Sequence, residues 1–172
     1  MLEQGKVDFQ SPYISNPKVK DKSIPFKISS TTLWQVNFVL YSHRTLELTR
    51  TDLSTLRIVT DRAWLNIIGF PVKPTTDITA ALKMLDAGRL DGVIYANTVT
   101  FPIVKQLKST NIHRSLFGTF DVKALIAINE RTKYIDKLIT QGAEQLLDSP
   151  ERQILATDSI TFDDWQTYEL LK

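Results

Sequence analysis

The sequence contains no cysteine. That excludes disulfides, thiolate nucleophiles and cysteine-ligated metals together, and leaves only His43 and His113 for metal or base chemistry. The two are far apart, and no carboxylate near either repeats a helix-borne metal spacing, so both read as surface residues and no metal or cofactor is expected. A dominant charge sign is also missing. Twenty-one Lys and Arg against 19 Asp and Glu leave a formal net charge of +2, too balanced for a polyelectrolyte ligand, so no nucleic-acid partner is expected. No apolar run approaches the roughly 20 residues of a spanning helix, and Met1 to Gln10 carries neither a basic start nor an apolar signal region. Gly-x-Ser-x-Gly, Gly-x-x-x-x-Gly-Lys and Gly-x-Gly-x-x-Gly do not occur, and no enzymatic activity is expected.

What is present suits a globular chain: 172 residues, 42% hydrophobic and 23% charged, enough for one domain or two small lobes. The most informative feature is an internal echo. Met1-Leu2-Glu3-Gln4-Gly5-Lys6-Val7-Asp8 returns as Met84-Leu85-Asp86-Ala87-Gly88-Arg89-Leu90-Asp91. In the second copy, Thr76 or Asp77 can cap a helix whose apolar Ile78, Ala81, Leu82 and Leu85 recur at helical spacing. Gly88 ends that helix and Leu90 to Ala96 reads as a buried strand. The first copy starts at the same helix, Gly, strand joint, so a strand is expected from Val7 to Gln10 with the preceding helix body absent.

Between the copies, a Lys-rich stretch to Ser30 reads as a surface excursion, since Pro17 and Pro25 argue against a long helix. Strands are expected at Trp34 to Tyr41, Arg57 to Thr60 and from Val72, with a short helix from Arg62 to Ile68 ended by Gly69. Further on, Thr98 to Leu107 reads as a helix with Pro102 in its first turn or so, and Lys108 to Phe117 as a loop. Val122 to Ile128 is a near-continuous apolar run, the pattern of a strand covered on both faces. Tyr134 to Leu147 is an amphipathic helix, Ser149-Pro150 opens another, and Asp163 to Leu171 is the last. Alternating strands and helices define an α/β fold with largely parallel strands.

Taken together, the Gly-Arg-Leu-Asp-Gly-Val-Ile joint, the strand Val36 to Tyr41, Asp52-Leu53 before Arg57-Ile58-Val59, and Val122 to Asn129 ahead of a long helix resemble bacterial extracellular solute-binding proteins of family 3. The resemblance implies the two-lobed type II periplasmic-binding fold, with mixed, mostly parallel sheets flanked by helices and a truncated first lobe. Lobe one would be 1–35 with 125–172, lobe two 53–115, and the hinge or crossing segments 32–52 and 116–128.

It also implies a site for a small polar, amino-acid-like solute closed between the lobes, made by charge-assisted hydrogen bonds to a zwitterion. Thr60, Asp61 and Arg62 fall where a strand hands over to a helix. They can hold an anion there, or Asp61 can cap the helix with Arg62 in solvent. Asn97 follows Tyr95-Ala96 where the family has an amine-binding Asp; it reads as a neutral cleft group or as the cap of the helix from Thr98. Ser15-Asn16-Pro17-Lys18 approximates the family's Thr-x-x-Arg with Lys for Arg, which loses a bidentate clamp; Lys18, Lys20 and Lys22 read as a solvated loop. Ser11 and Tyr13 follow the first joint, where Tyr13 either stacks on a ligand or packs on lobe one. Asp163-Asp164 suits a helix start, and Trp34, Trp64 and Trp165 suit core packing.

The implied function is that of a non-enzymatic solute-binding protein of the ABC-transporter type, periplasmic or extracellular, with a membrane permease as partner in the complete system. A degenerate scaffold without ligand and the effector-sensing domain of a transcription regulator are the alternatives. An incomplete lobe one implies weak binding of amino acids and an uncovered apolar sheet face that favours a homodimer.

Overall fold

The computed structural model describes residues 1–14, 24–43 and 53–149. The Ser15 to Lys18 quartet, Lys20, Lys22, Asp52, and the expected helices after Ser149 and from Asp163 to Leu171, with Trp165, lie outside the described residues. In chain order the elements are β1 (Phe9–Ile14), β2 (Lys27–Ile28), β3 (Trp34–His43), β4 (Ile58–Asp61), a 3-10 turn (Arg62–Trp64), α1 (Leu65–Ile68), β5 (Lys73–Thr75), α2 (Ile78–Asp86), β6 (Gly92–Ala96), α3 (Asn97–Leu107), β7 (Ile112–Ile126) and α4 (Thr132–Leu147). The chain forms two compact units. The described part of the first comprises 1–14, 24–35 and 120–149, and that of the second 36–43 and 53–119, so β3 and β7 have residues in both.

In the second unit the strand order is β7-β3-β6-β4-β5. β4 runs parallel to β5 and β6, and β3 pairs antiparallel with β6. The parallel arrangement expected of the chain is thus concentrated in these three short strands. α2 forms because Asp77 accepts the Ala80 N–H at 2.9 Å and caps it, while Ala81, Leu82 and Leu85 turn one stripe inward. These three pack with Val39, Tyr41, Val59, Leu90 and Val93. Burying each leucine contributes about 1.5–3 kcal/mol.

α2 ends at the joint the echo singles out. Gly88 has φ +69°, its N–H donates to Leu85 O at 2.9 Å, and Arg89 N–H donates to Met84 O at 2.9 Å. The first copy repeats this bond for bond. Gly5 has φ +63°, Gly5 N–H donates to Leu2 O and Lys6 N–H to Met1 O, both at 3.1 Å. Leu2 and Leu85 are both buried. Three residues after each glycine an aspartate accepts from an arginine: Asp8 from Arg131 at 3.3 Å, Asp91 from Arg57 at 2.8 and 2.9 Å. The echo is therefore structural. Asp91 also accepts the Arg57 backbone N–H at 2.8 Å, which ties the start of β6 to the start of β4. Beside it Gly92 leaves no room for a side chain, since a Cβ would stand 2.9 Å from Leu40 Cδ1 and 3.2 Å from Ile58 Cγ1.

Four expectations are corrected by tertiary contacts. β1 begins at Phe9, two residues later than the expected strand, and extends to Ile14, because the chain first completes the joint through Asp8. The segment expected as a loop from Lys108 to Phe117 enters β7 at Ile112, where Ile112 and Leu116 pack against the core of the second unit despite polar neighbours. Within β7 the run from Val122 alternates between buried and half-buried residues, so it is covered mainly on one face; it ends at Ile126, and Ile128 is 69% exposed. Pro102 is the sixth residue of α3, where its missing N–H falls inside the helix.

The first unit pairs β1 and β2 antiparallel with β7, and the β1 register shifts between Gln10 and Tyr13, around Pro12, which has no N–H for the ladder. α4 buries Ile135 and Ala143, while Phe9, Leu138 and Leu146 remain exposed along an apolar groove of about 340 Å³. The polar tie of this unit is Asp136, only 8% exposed. It accepts from Lys27 Nζ at 2.6 Å, Ser30 N at 2.9 Å and Ser30 Oγ at 3.1 Å.

Burial acts to raise the pKa of Asp136, but the Lys27 ammonium and the two Ser30 donors outweigh it and hold the carboxyl below its ordinary value. A depressed folded-state pKa stabilises the fold above the unfolded value of about 3.9, and that stabilisation is lost as pH falls through the folded value. Asp136→Asn should therefore cost about 1–3 kcal/mol at neutral pH. In urea unfolding the gap to the parent protein should narrow steadily below about pH 4; a gap independent of pH would contradict this role.

Candidate functional site

Parallel β4 and β6 end side by side, with Thr60 opposite Ile94 in the register. Their carboxyl ends bring together five of the seven residues expected to bind a ligand: Thr60, Asp61, Arg62, Tyr95 and Asn97. Ser11 and Tyr13 lie on β1, in the other unit. Ser11 Oγ donates to Lys123 O at 3.4 Å, and Tyr13 is half-buried opposite Lys123.

At this edge the side chains differ in what they can offer. Thr60 is 0% exposed and its hydroxyl donates to Ile94 O at 2.8 Å, so it ties the two strands together. Asp61 accepts the Ala63 N–H at 2.8 Å and caps the 3-10 turn, and Arg62 is exposed, the arrangement in which Asp61 is a cap. Tyr95 is half-buried on β6, opposite Val39.

Asn97 does not cap α3. The N-cap residue is Ala96, and Asn97 is the first helical residue, 0% exposed, with its Oδ1 accepting from Tyr41 Oη at 3.1 Å. Tyr41 Oη in turn accepts from Thr100 Oγ1 at 2.9 Å, and Thr100 Oγ1 also lies 3.0 Å from Ala96 O. The result is a buried polar chain linking β3 to the first turn of α3. Sequence reading missed Tyr41 and Thr100. The signal was the Asn97-x-x-Thr100 spacing, which puts both polar side chains on one helix face with a strand tyrosine to meet them.

Two buried donors at this edge have no acceptor among the described residues: Asn97 Nδ2 and Trp64 Nε1. Trp64 follows Arg62 in the 3-10 turn and packs edge-on against Phe38 with centroids 5.6 Å apart; Phe38 is the register partner of Ala96. A buried N–H left unpaired costs about 1–3 kcal/mol. The first turn of α3 adds free backbone N–H groups with no acidic residue among them. Arg62, exposed on the 3-10 turn, carries a positive charge at this edge. Among the described residues no three His, Cys, Asp or Glu are grouped to hold a metal ion, and no helix is long and apolar enough to cross a membrane.

No protein-family model matches the chain, and no curated protein sequence matches it. Solved structures do. The GluR0 ligand-binding core from Nostoc punctiforme in complex with L-glutamate superposes with a TM-score of 0.64 at 15% identity, over 92% of this chain and 76% of that one. An amino acid ABC transporter substrate-binding protein from Streptococcus pneumoniae, AbpA, bound to L-arginine, gives 0.61 at 15% identity over 91% and 69%. The arginine-, lysine-, histidine-binding protein ArtJ from Geobacillus stearothermophilus gives 0.57 at 14% over 94% and 75%. The chain has the type II periplasmic-binding fold, and the structures it resembles are binding proteins.

The Tyr41, Asn97 and Thr100 chain can be tested directly. Tyr41→Phe removes the donor to Asn97 Oδ1 inside the second unit and should cost about 1–2 kcal/mol of stability by urea denaturation. A change within experimental error would show that the network does not hold α3 against β3.

Proposed function

We propose that this chain is a solute-binding protein that holds a small polar, amino-acid-like solute and is not an enzyme. The observation that carries the reading is the pair of buried, unpartnered donors, Asn97 Nδ2 and Trp64 Nε1, at the carboxyl ends of parallel strands. In open α/β sheets that edge is where ligands bind. On this reading the solute's anionic group takes these donors, and the exposed Arg62 adds a positive charge while Asp61 stays the cap of the 3-10 turn. Tyr95, half-buried on β6, flanks the solute. A substrate-binding role would pair the protein with a membrane permease and place it outside the cytoplasm. The exposed apolar groove of the first unit supports self-association, which sedimentation would register as a homodimer.

The absence of a side-chain carboxylate at Asn97 weakens the hold on an ammonium, since a neutral amide cannot neutralise it. Dissociation constants for amino acids should therefore be about 1 mM, near −4 kcal/mol. Titration with arginine, glutamate and glutamine up to about 10 mM, read by the NMR signal of the Trp64 indole N–H, should give saturable shifts. Arg62→Gln should weaken the binding several-fold. No saturable shift with any of the three would favour the degenerate scaffold instead.

A further inference from the structure

Between Asp91 and Asp121 the sequence has no acidic residue. Its fixed cations in that interval are Lys105, Lys108 and Arg114, and all three, together with His113, line one open cavity of about 530 Å³ in the second unit. Phe101, Val104 and Ile112 supply the apolar part of its wall. The guanidinium of Arg114 lies 4.8 Å from the centroid of the Phe101 ring, a cation–π contact that fixes the direction of its donor fork. Lys108 ends α3 at φ +51°, a left-handed conformation that favours glycine. Asp86 on α2 is not a lining residue, but its carboxylate accepts from the hydroxyl of Ser109, which is one.

Attraction to the C-terminal dipole of α3 accounts for Lys105 and Lys108, but not for His113 and Arg114, which come from β7. We propose that this cavity is an anion-binding site for a small di- or trianionic phosphate compound. Cations from two elements surround one space, which suits the multiple charge of a phosphate group. The site is distinct from the carboxyl ends of β4 and β6. α3 starts at that edge and reaches the cavity with its last turns, and its 11 residues span about 16 Å. The phosphate can belong to a free metabolite or to a lipid headgroup, and the experiment separates the two.

Calorimetry of the full chain with inorganic pyrophosphate at low salt should show saturable binding that weakens as salt is raised. Lys108→Gly should weaken it about tenfold, the loss of one charge-assisted contact, and at the same time raise the thermal midpoint because glycine fits the left-handed position. Arg114→Gln should weaken it similarly, and Arg62→Gln, on the exposed 3-10 turn, should leave it unchanged, which keeps this site separate from the solute site. Phosphatidic acid vesicles, whose phosphomonoester headgroup can carry two charges, that bind and are displaced by pyrophosphate would identify a headgroup; binding of pyrophosphate without vesicle binding would identify a free compound. The proposal is overturned if neither probe binds saturably, or if Lys108→Gly folds and binds pyrophosphate as the parent does.

Discussion

A left-handed glycine followed three residues later by a carboxylate is the constraint on which the rest of this structure depends. At Gly88 the positive φ lets α2 close its last turn and sends the chain straight into β6. Asp91 then accepts from both the backbone and the side chain of Arg57, and the hydrogen bonds hold its carboxyl below the ordinary range. That contact sets β6 beside β4 in register, and the register decides which residues meet at the carboxyl ends. In the other unit Gly5 and Asp8, with Arg131, repeat the device. The same short solution positions the strand that follows in both units.

From that placement the candidate site follows in steps. β4 and β6 end together, so the 3-10 turn after β4 and the first turn of α3 after β6 lie at one edge. The turn carries Arg62 and Trp64; the helix carries Asn97. Tyr41, one strand over, fixes Asn97 through Oδ1, and the Nδ2 of Asn97 has no acceptor among the described residues.

Local signals were legible in the sequence where physics is local. The Asp77 cap, the inward stripe of α2 and the glycine ends of α1 and α2 all depend on residues within one or two turns, and each appears in the structure. What depended on distant partners was harder to read. Lys108 to Phe117 looks like a loop by composition, yet Ile112 opens a strand because the core of the second unit covers it. Asn97 looks like a cap because asparagine prefers that position, but a tyrosine 56 residues away in sequence claims its carbonyl oxygen. The basic cavity was invisible for the same reason, since charges on a helix end and on a strand converge only once both are placed.

Because the joints are central, replacing their glycines tests the account most directly. Gly5 has open space around a Cβ and Gly88 meets only the His43 ring at 3.5 Å, so alanine at either position is opposed chiefly by backbone conformation. Gly142, inside α4 and also in open space, has no positive φ and serves as the internal comparison. Urea unfolding should find Gly5→Ala and Gly88→Ala each destabilised by about 1–2 kcal/mol, and Gly142→Ala stabilised by about 0.5–1 kcal/mol. If alanine is tolerated at Gly5 and Gly88 as well as at Gly142, the joints are not what fixes the two units.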